Sequence, residues 1–104
     1  ELVRSFLKYS NNAMGESLVK SLGVRAAGGV GTWANGIPAL RAELAAAGLD
    51  LESTHIADGS GLSYENRVSP KTLVAALRVA AHSFRFGPEF AASLPVPGGV
   101  GTFK

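Results

Sequence analysis

Apolar residues recur along most of this chain at the three- and four-residue steps of an amphipathic helix. Leu2, Val3, Phe6 and Leu7 mark one such face, and Met14, Leu18, Val19 and Leu22 mark a second. Between them Ser10, Asn11 and Asn12 interrupt the pattern. All three favour turns and N-caps, because each side chain can satisfy a free backbone N–H at the start of a helix. The pattern predicts a helix over 1–8, a polar joint, and a second helix from Asn12 to Leu22 or Gly23. Glu16 is then expected in the first turn, against the positive end of the helix dipole. Residues 25–35 carry Gly28, Gly29 and Gly31 and read as a loop. Asn35 is the expected N-cap of a third helix, with Pro38 in its first turn, Ile37, Leu40 and Leu44 along one face, and Gly48 as its stop. The stretch 49–56 is short and mixed and reads as extended. Ser69-Pro70 opens a fourth helix with Leu73, Val74, Leu77, Ala80 and Ala81 on its buried side, and Gly87-Pro88-Glu89 opens one or two turns more, stopped by Pro95. The expected fold is mainly α, a cluster of helices with Leu2, Phe6, Leu18, Leu40, Leu73 and Leu77 in the core.

A length of 104 residues allows one domain at most. Both ends read as cut. Glu1 falls inside an apolar helical pattern with no capping residue ahead of it, and residues 95–104 are rich in Pro and Gly and lead into no further element. The chain is therefore read as one helical segment, 1–104, of a longer domain truncated at both ends. A net charge of +2 with no basic run gives no footing for nucleic acid. No apolar run approaches the length of a membrane span, so the segment reads as soluble or membrane-peripheral. There are no cysteines for disulfides or thiolate ligands, and no His, Asp or Glu cluster has metal-ligand spacing, so neither metal nor cofactor is expected.

Several chemical readings can be weighed and set aside. The Gly28–Gly31 run lacks the spacing of a phosphate cradle, and no strand precedes it. Trp33 reads as a packing residue over the helices rather than a ligand platform. Ser60 stands between two glycines, but a nucleophile elbow needs Gly where Asp58 stands. His55 and Asp58 lie close to Ser60 in sequence, which does not make a triad, whose members converge from separate elements. Asp58, Gly59 and Gly61 read instead as structural, a tight turn in which the Asp58 carboxylate accepts backbone N–H bonds. His82, late in a helix, suits the carbonyl end. Ser-x-x-Lys occurs twice, at Ser5 to Lys8 and at Ser17 to Lys20, each beside the Ser10 joint on a contiguous element. Two matches in so short a chain show how weak the pattern is by itself.

Four blocks along the chain carry a resemblance. Leu7 to Glu16 contains Lys8-Tyr9-Ser10-Asn11-Asn12, and Gly31-Thr32-Trp33 follows. Next come Ala57-Asp58-Gly59-Ser60-Gly61-Leu62-Ser63 with Asn66 and Pro70, then Leu94-Pro95 with Gly98 and Gly101-Thr102. In this order and at these gaps they resemble the D-alanyl-D-alanine carboxypeptidases of the class C, low-molecular-mass penicillin-binding type, with Ser10-Asn11-Asn12 as the Ser-x-Asn motif. Asn11 stands where Asp is commoner. The resemblance implies the helical part of a penicillin-binding, serine β-lactamase-like transpeptidase domain, packed in the intact protein against an antiparallel sheet in an α+β whole. It implies that Ser10 and Asn12 are catalytic, Ser10 relaying a proton and Asn12 binding the substrate's backbone amide. The nucleophilic Ser-x-x-Lys would lie far upstream and the Lys-Thr-Gly strand a short way downstream. The implied reaction removes terminal D-alanine from, or cleaves cross-links in, peptidoglycan stem peptides through an acyl-enzyme. β-Lactams are then ligands, and the location is periplasmic or otherwise extracytoplasmic in the bacterial envelope. The competing reading is a non-catalytic helical interaction module with a coincidental or degenerate Ser-x-Asn.

Overall fold

The structure, a computed structural model, describes residues 2–99 and 101. Five helices follow one another: α1 (Leu2–Tyr9), α2 (Asn12–Ala27), α3 (Trp33–Ala46), α4 (Pro70–Ala81) and α5 (Gly87–Ser93). The mainly α fold expected from the sequence is the one observed. Strand-like pairing among the described residues is an isolated antiparallel bridge between His55 and Arg67, with N–H to O distances of 2.8 Å in both directions.

α2 and α3 form the central hairpin, and glycine makes it close. Gly15, Val19 and Gly23 are the buried residues of α2, spaced four apart on one stripe. A Cβ on Gly36 of α3 would collide with the Val19 carbonyl, and one on Gly23 with the Asn35 side chain. The two backbones therefore approach where side chains would hold them apart. This arrangement corrects several expectations. α2 runs past Gly23 to Ala27, because Gly23 is a packing residue and the stop is Gly28, at φ 76°. Leu18 is 46% exposed, since the face centred on Val19 turns it to the flank.

α3 starts earlier than expected. Its N-cap is Thr32, and Asn35 completes a capping box: the Asn35 N–H donates to Thr32 Oγ1 at 3.2 Å, and the Thr32 N–H to Asn35 Oδ1 at 2.9 Å. Pro38 consequently sits inside the helix rather than in its first turn, removing the N–H that would have reached the Ala34 carbonyl. The helix ends at Ala47 and Gly48, the latter at φ 95°.

The connector after α3 is held by a side chain. Arg41 donates from Nη1 to the Thr54 carbonyl at 2.7 Å and from Nη2 to the Leu51 carbonyl at 3.1 Å. Leu49 and Leu51 are buried beneath it, and with Val19 they make up the buried apolar core of the described residues. Ser69 caps α4 through the Thr72 N–H at 3.1 Å, with Pro70 at its start, as the sequence predicts. The expected buried face of α4 is not buried, for Leu73, Val74 and Leu77 are each about half exposed. Phe6 and Leu40 are half-buried, and the side chain of Leu2 lies outside the described residues. Among the described residues the helices do not enclose one shared core, which is why periodicity named apolar faces that no described residue covers.

α5 returns to the beginning of the chain. Lys8 Nζ donates to the Leu94 carbonyl at 2.6 Å, joining the end of α1 to the residue after α5.

Candidate active site

The joint between α1 and α2 divides its three polar residues by task. Asn11 is the N-cap of α2, in extended conformation, with its Oδ1 accepting the Met14 N–H at 3.0 Å. An aspartate would accept that N–H equally well, so the exchange of Asp for Asn at this position leaves the local structure intact. Ser10 ends α1 with φ 49°, and among the described residues it alone, apart from glycines, has positive φ. For an L-residue this left-handed conformation costs about 1–2 kcal/mol, and such strain gathers where a side chain has to be aimed. Asn12 is the first residue of α2. Both Ser10 and Asn12 are exposed. With Asn11 doing the capping, a hydroxyl and a carboxamide two positions apart stay available to a ligand.

A loop from the other half of the chain forms the opposite wall. Phe6, Leu7, Ser10, Asn11, Asn12, Gly59 and Ser60 line a notch of about 130 Å³. Gly59 packs directly on α2, and a Cβ there would meet the Gly15 carbonyl oxygen at 2.5 Å. Glu16 fixes the same contact. Its Oε1 accepts the N–H groups of Gly59 and Ser60, both at 2.7 Å, and its Oε2 accepts the indole N–H of Trp33. Partial desolvation raises the Glu16 pKa, but the bonds from Trp33, Gly59 and Ser60 outweigh it and hold the carboxyl below its ordinary value. Lys20 Nζ lies 4.7 Å from the centroid of the Trp33 ring, a cation–π contact. Trp33 thus covers the helices with a half-exposed ring while its N–H is used inward.

Asp58 organises the loop itself. Its Oδ1 accepts the Gly61 N–H at 2.8 Å and Asn66 Nδ2–H at 2.9 Å, and its Oδ2 accepts the Ser63 N–H at 2.7 Å. The Asn66 bond first, then those from Ser63, Gly61 and Ser60, hold its carboxyl below the ordinary value despite partial desolvation. Asn66 in turn accepts the Ala57 N–H at 2.7 Å, so the loop is closed on both flanks. Gly61 turns at φ 80°, where a side chain would be strained.

Other residues singled out from the sequence fall elsewhere. His55 pairs with Arg67 through its backbone and lines a separate apolar concavity of about 260 Å³ between the 49–56 connector and α4. That concavity shares no lining residue with the notch, so His55, Asp58 and Ser60 do not assemble a triad. His82 Nδ1 lies 2.9 Å from the Arg78 carbonyl oxygen at the end of α4. The Lys8 ammonium is committed to Leu94. Sequence reasoning missed the part played by Glu16. It sits in the second turn of α2, not the first, and its partners are Gly59 and Ser60 rather than the helix's own N–H groups. Ser60, which its sequence surroundings exclude as an elbow nucleophile, lines the notch instead.

The joint thus presents Ser-x-Asn against a Gly-Ser-Gly loop, two of the blocks on which the resemblance to a peptidase family rests. In agreement with it, the chain matches the model of the D-Ala-D-Ala carboxypeptidase 3 (S13) family over residues 1–104 and belongs to that family. It is 41% identical over 98 residues to a D-alanyl-D-alanine carboxypeptidase of Actinomadura sp., covering 94% of this chain and 18% of that protein. It is 30% identical over 105 residues to the carboxypeptidase DacB of Mycolicibacterium smegmatis, covering the whole chain and 23% of that protein. Among solved structures it superposes with a TM-score of 0.85 on penicillin-binding protein 4 (DacB) of Haemophilus influenzae in complex with a β-lactam, at 27% identity, over 98% of this chain and 23% of that one. The chain thus spans about a fifth of the length of the relatives it matches.

Proposed function

We propose that the protein carrying this segment is a serine DD-peptidase that acts on peptidoglycan stem peptides ending in D-Ala-D-Ala and is acylated by β-lactams. The observation that carries this reading is the Ser10–Asn12 joint, with its exposed hydroxyl and carboxamide side by side in a notch and the capping load taken by Asn11. Membership of the family and the β-lactam bound by the similar penicillin-binding protein 4 support it. The competing reading, a non-catalytic helical module, has no such support.

In this reading the attacking serine and its lysine, and the strand that holds the developing oxyanion, come from outside these residues. Ser10 passes a proton between that lysine and the leaving nitrogen of the terminal D-alanine, a task a hydroxyl performs because it donates and accepts at once. Asn12 donates from its carboxamide to the substrate's backbone and keeps the scissile bond in register. Asp58, Gly59 and Gly61 act as scaffold, keeping the loop opposite Ser10 in place. The substrate places the enzyme on the extracytoplasmic side of a bacterial cell, and in a two-membrane envelope in the periplasm. No described helix is long and apolar enough to cross a membrane.

The test uses the full-length protein. Ser10→Ala is expected to slow D-alanine release from a D-Ala-D-Ala peptide by ~10²–10⁴-fold, the usual worth of positioned acid–base catalysis, with a much smaller change in KM. Asn12→Ala should also slow the peptide reaction, with a loss that varies with the acyl side chain. Covalent labelling by penicillin should be less sensitive to Ser10→Ala, because ring strain drives the opening. The isolated 104 residues should form no penicillin adduct. Peptide turnover at the wild-type rate in Ser10→Ala would overturn the reading, and a stable adduct on the isolated chain would make Ser5 or Ser17 a nucleophile.

A further inference from the structure

We infer that Glu16 is a positioning residue for the Ser10–Asn12 notch, its carboxylate setting where the Gly59–Ser60 wall stands. The inference rests on the reading of that notch as the peptidase site.

Three donors from two separate segments converge on this one carboxylate: the Gly59 and Ser60 N–H groups on Oε1 and the Trp33 indole N–H on Oε2. Two of the three belong to residues that line the notch opposite Ser10 and Asn12. Glu16 itself stands one helical turn after Asn12 on α2, so a single rigid element carries both the carboxamide and the anchor of the facing wall. The wall rests on the Gly15 backbone and the Val19 side chain, both apolar or backbone contacts that give it support without a polar anchor. Gly59 lies close on Gly15 and Val19, and the directional contacts that orient it there are the pair of bonds from Gly59 and Ser60 to Glu16. The indole that completes the set is held in turn by Lys20 against its face, one turn further along the same helix. An ionised carboxylate offers an acceptor to all three donors, whereas an amide replaces one of its two oxygens by a donor.

That last point yields a test that a merely stabilising residue would not pass. In Glu16→Gln the amide oxygen can still accept both loop N–H groups, but its NH2 then faces the Trp33 N–H, donor against donor. Trp33→Phe removes the conflicting N–H while keeping an aromatic ring. The full-length protein would be prepared with Ser10→Ala, Glu16→Ala, Glu16→Gln, and Glu16→Gln combined with Trp33→Phe. D-alanine release from a D-Ala-D-Ala peptide would be followed to give kcat and KM per folded molecule, well below each melting temperature. Glu16→Ala should lose roughly 10–100-fold in kcat/KM, mostly in kcat, the size expected when reacting groups are misplaced by about an ångström. Glu16→Gln should lose less, and adding Trp33→Phe should restore part of that loss. Glu16→Ala turning over within about twofold of wild type, while Ser10→Ala is slow, would overturn the role of Glu16 and leave the site reading standing. Ser10→Ala at the wild-type rate would overturn the site reading and the inference with it. Should Glu16→Ala fail to fold, the Gln pair decides: a double variant slower than Glu16→Gln alone counts against the inference.

Discussion

At the scale of single residues, the joint shows one position held against its own preference. Ser10 keeps a backbone conformation that glycine would adopt without cost, which is an odd choice unless the hydroxyl matters. This separates structure from chemistry by substitution. Ser10→Gly and Ser10→Ala should be equally slow on peptide, since both lack the hydroxyl. The glycine variant should be the more stable by about 1 kcal/mol, because relief of the left-handed conformation outweighs the extra freedom of its unfolded chain. Thermal melting and peptide turnover on the same samples check both halves. If the glycine variant retained turnover, the hydroxyl would not be the proton carrier and the role given to Ser10 would fall. The motif itself is legible in the sequence. The strain is not, because nothing in a one-letter code distinguishes a serine at φ 49° from one in a helix.

At the scale of elements, the sequence located every described helix, and its errors in the α2–α3 hairpin share a cause. Apolar periodicity found the start of α4 at Ser69-Pro70 and the short α5 after Gly87 because caps and proline act locally. It misplaced the end of α2, the start of α3 and the contact face of α2, because there the packing residues are glycines. Hydropathy scores a glycine as neutral and propensity scores it as a break, yet Gly15, Gly23 and Gly36 are where the hairpin closes. Gly36→Ala tests this. A surface-facing glycine in a helix would gain up to about 1 kcal/mol from the change. At this position the methyl meets the Val19 carbonyl, and crowding of this kind typically costs about 1–3 kcal/mol. The variant should therefore melt below wild type despite its better helix propensity, and a higher melting temperature would show that the hairpin gives way freely.

Across the whole molecule, the site wall depends on two carboxylates, and this makes it sensitive to acid. Asp58 and Glu16 both titrate below their ordinary values when folded. A depressed folded pKa means that the stabilisation is complete above the unfolded value, roughly 4 for a carboxylate, and is lost as pH falls through the folded value. Asp58→Ala should cost of order 1–3 kcal/mol near neutral pH, the range for bonds to an ionised acceptor, while lowering turnover per folded molecule less than stability. The gap in melting temperature between wild type and Asp58→Ala should narrow below about pH 4, and taking the difference cancels the other carboxylates. A gap that stays constant into strong acid would mean that the carboxylate is not the source of the stability. Asp58's own turn was foreseeable, its partners being within eight positions in sequence. Glu16 was not, because its partners on the loop lie 43 and 44 positions away and only the fold brings them near.

The Lys8–Leu94 bond spans 86 positions. Closing a loop of that length costs entropy that no neighbour of Lys8 in sequence offsets, so the α5 return forms after the local helices do. α1 and α2 can form from local information, while the Gly59–Ser60 wall and the α5 return depend on distant residues. Until that contact closes, the joint is open to proteases. Substitutions of Lys8, which remove the donor and leave the Leu94 carbonyl without it, should accordingly show first as a lower yield of folded protein, before any change in the turnover of the molecules that do fold.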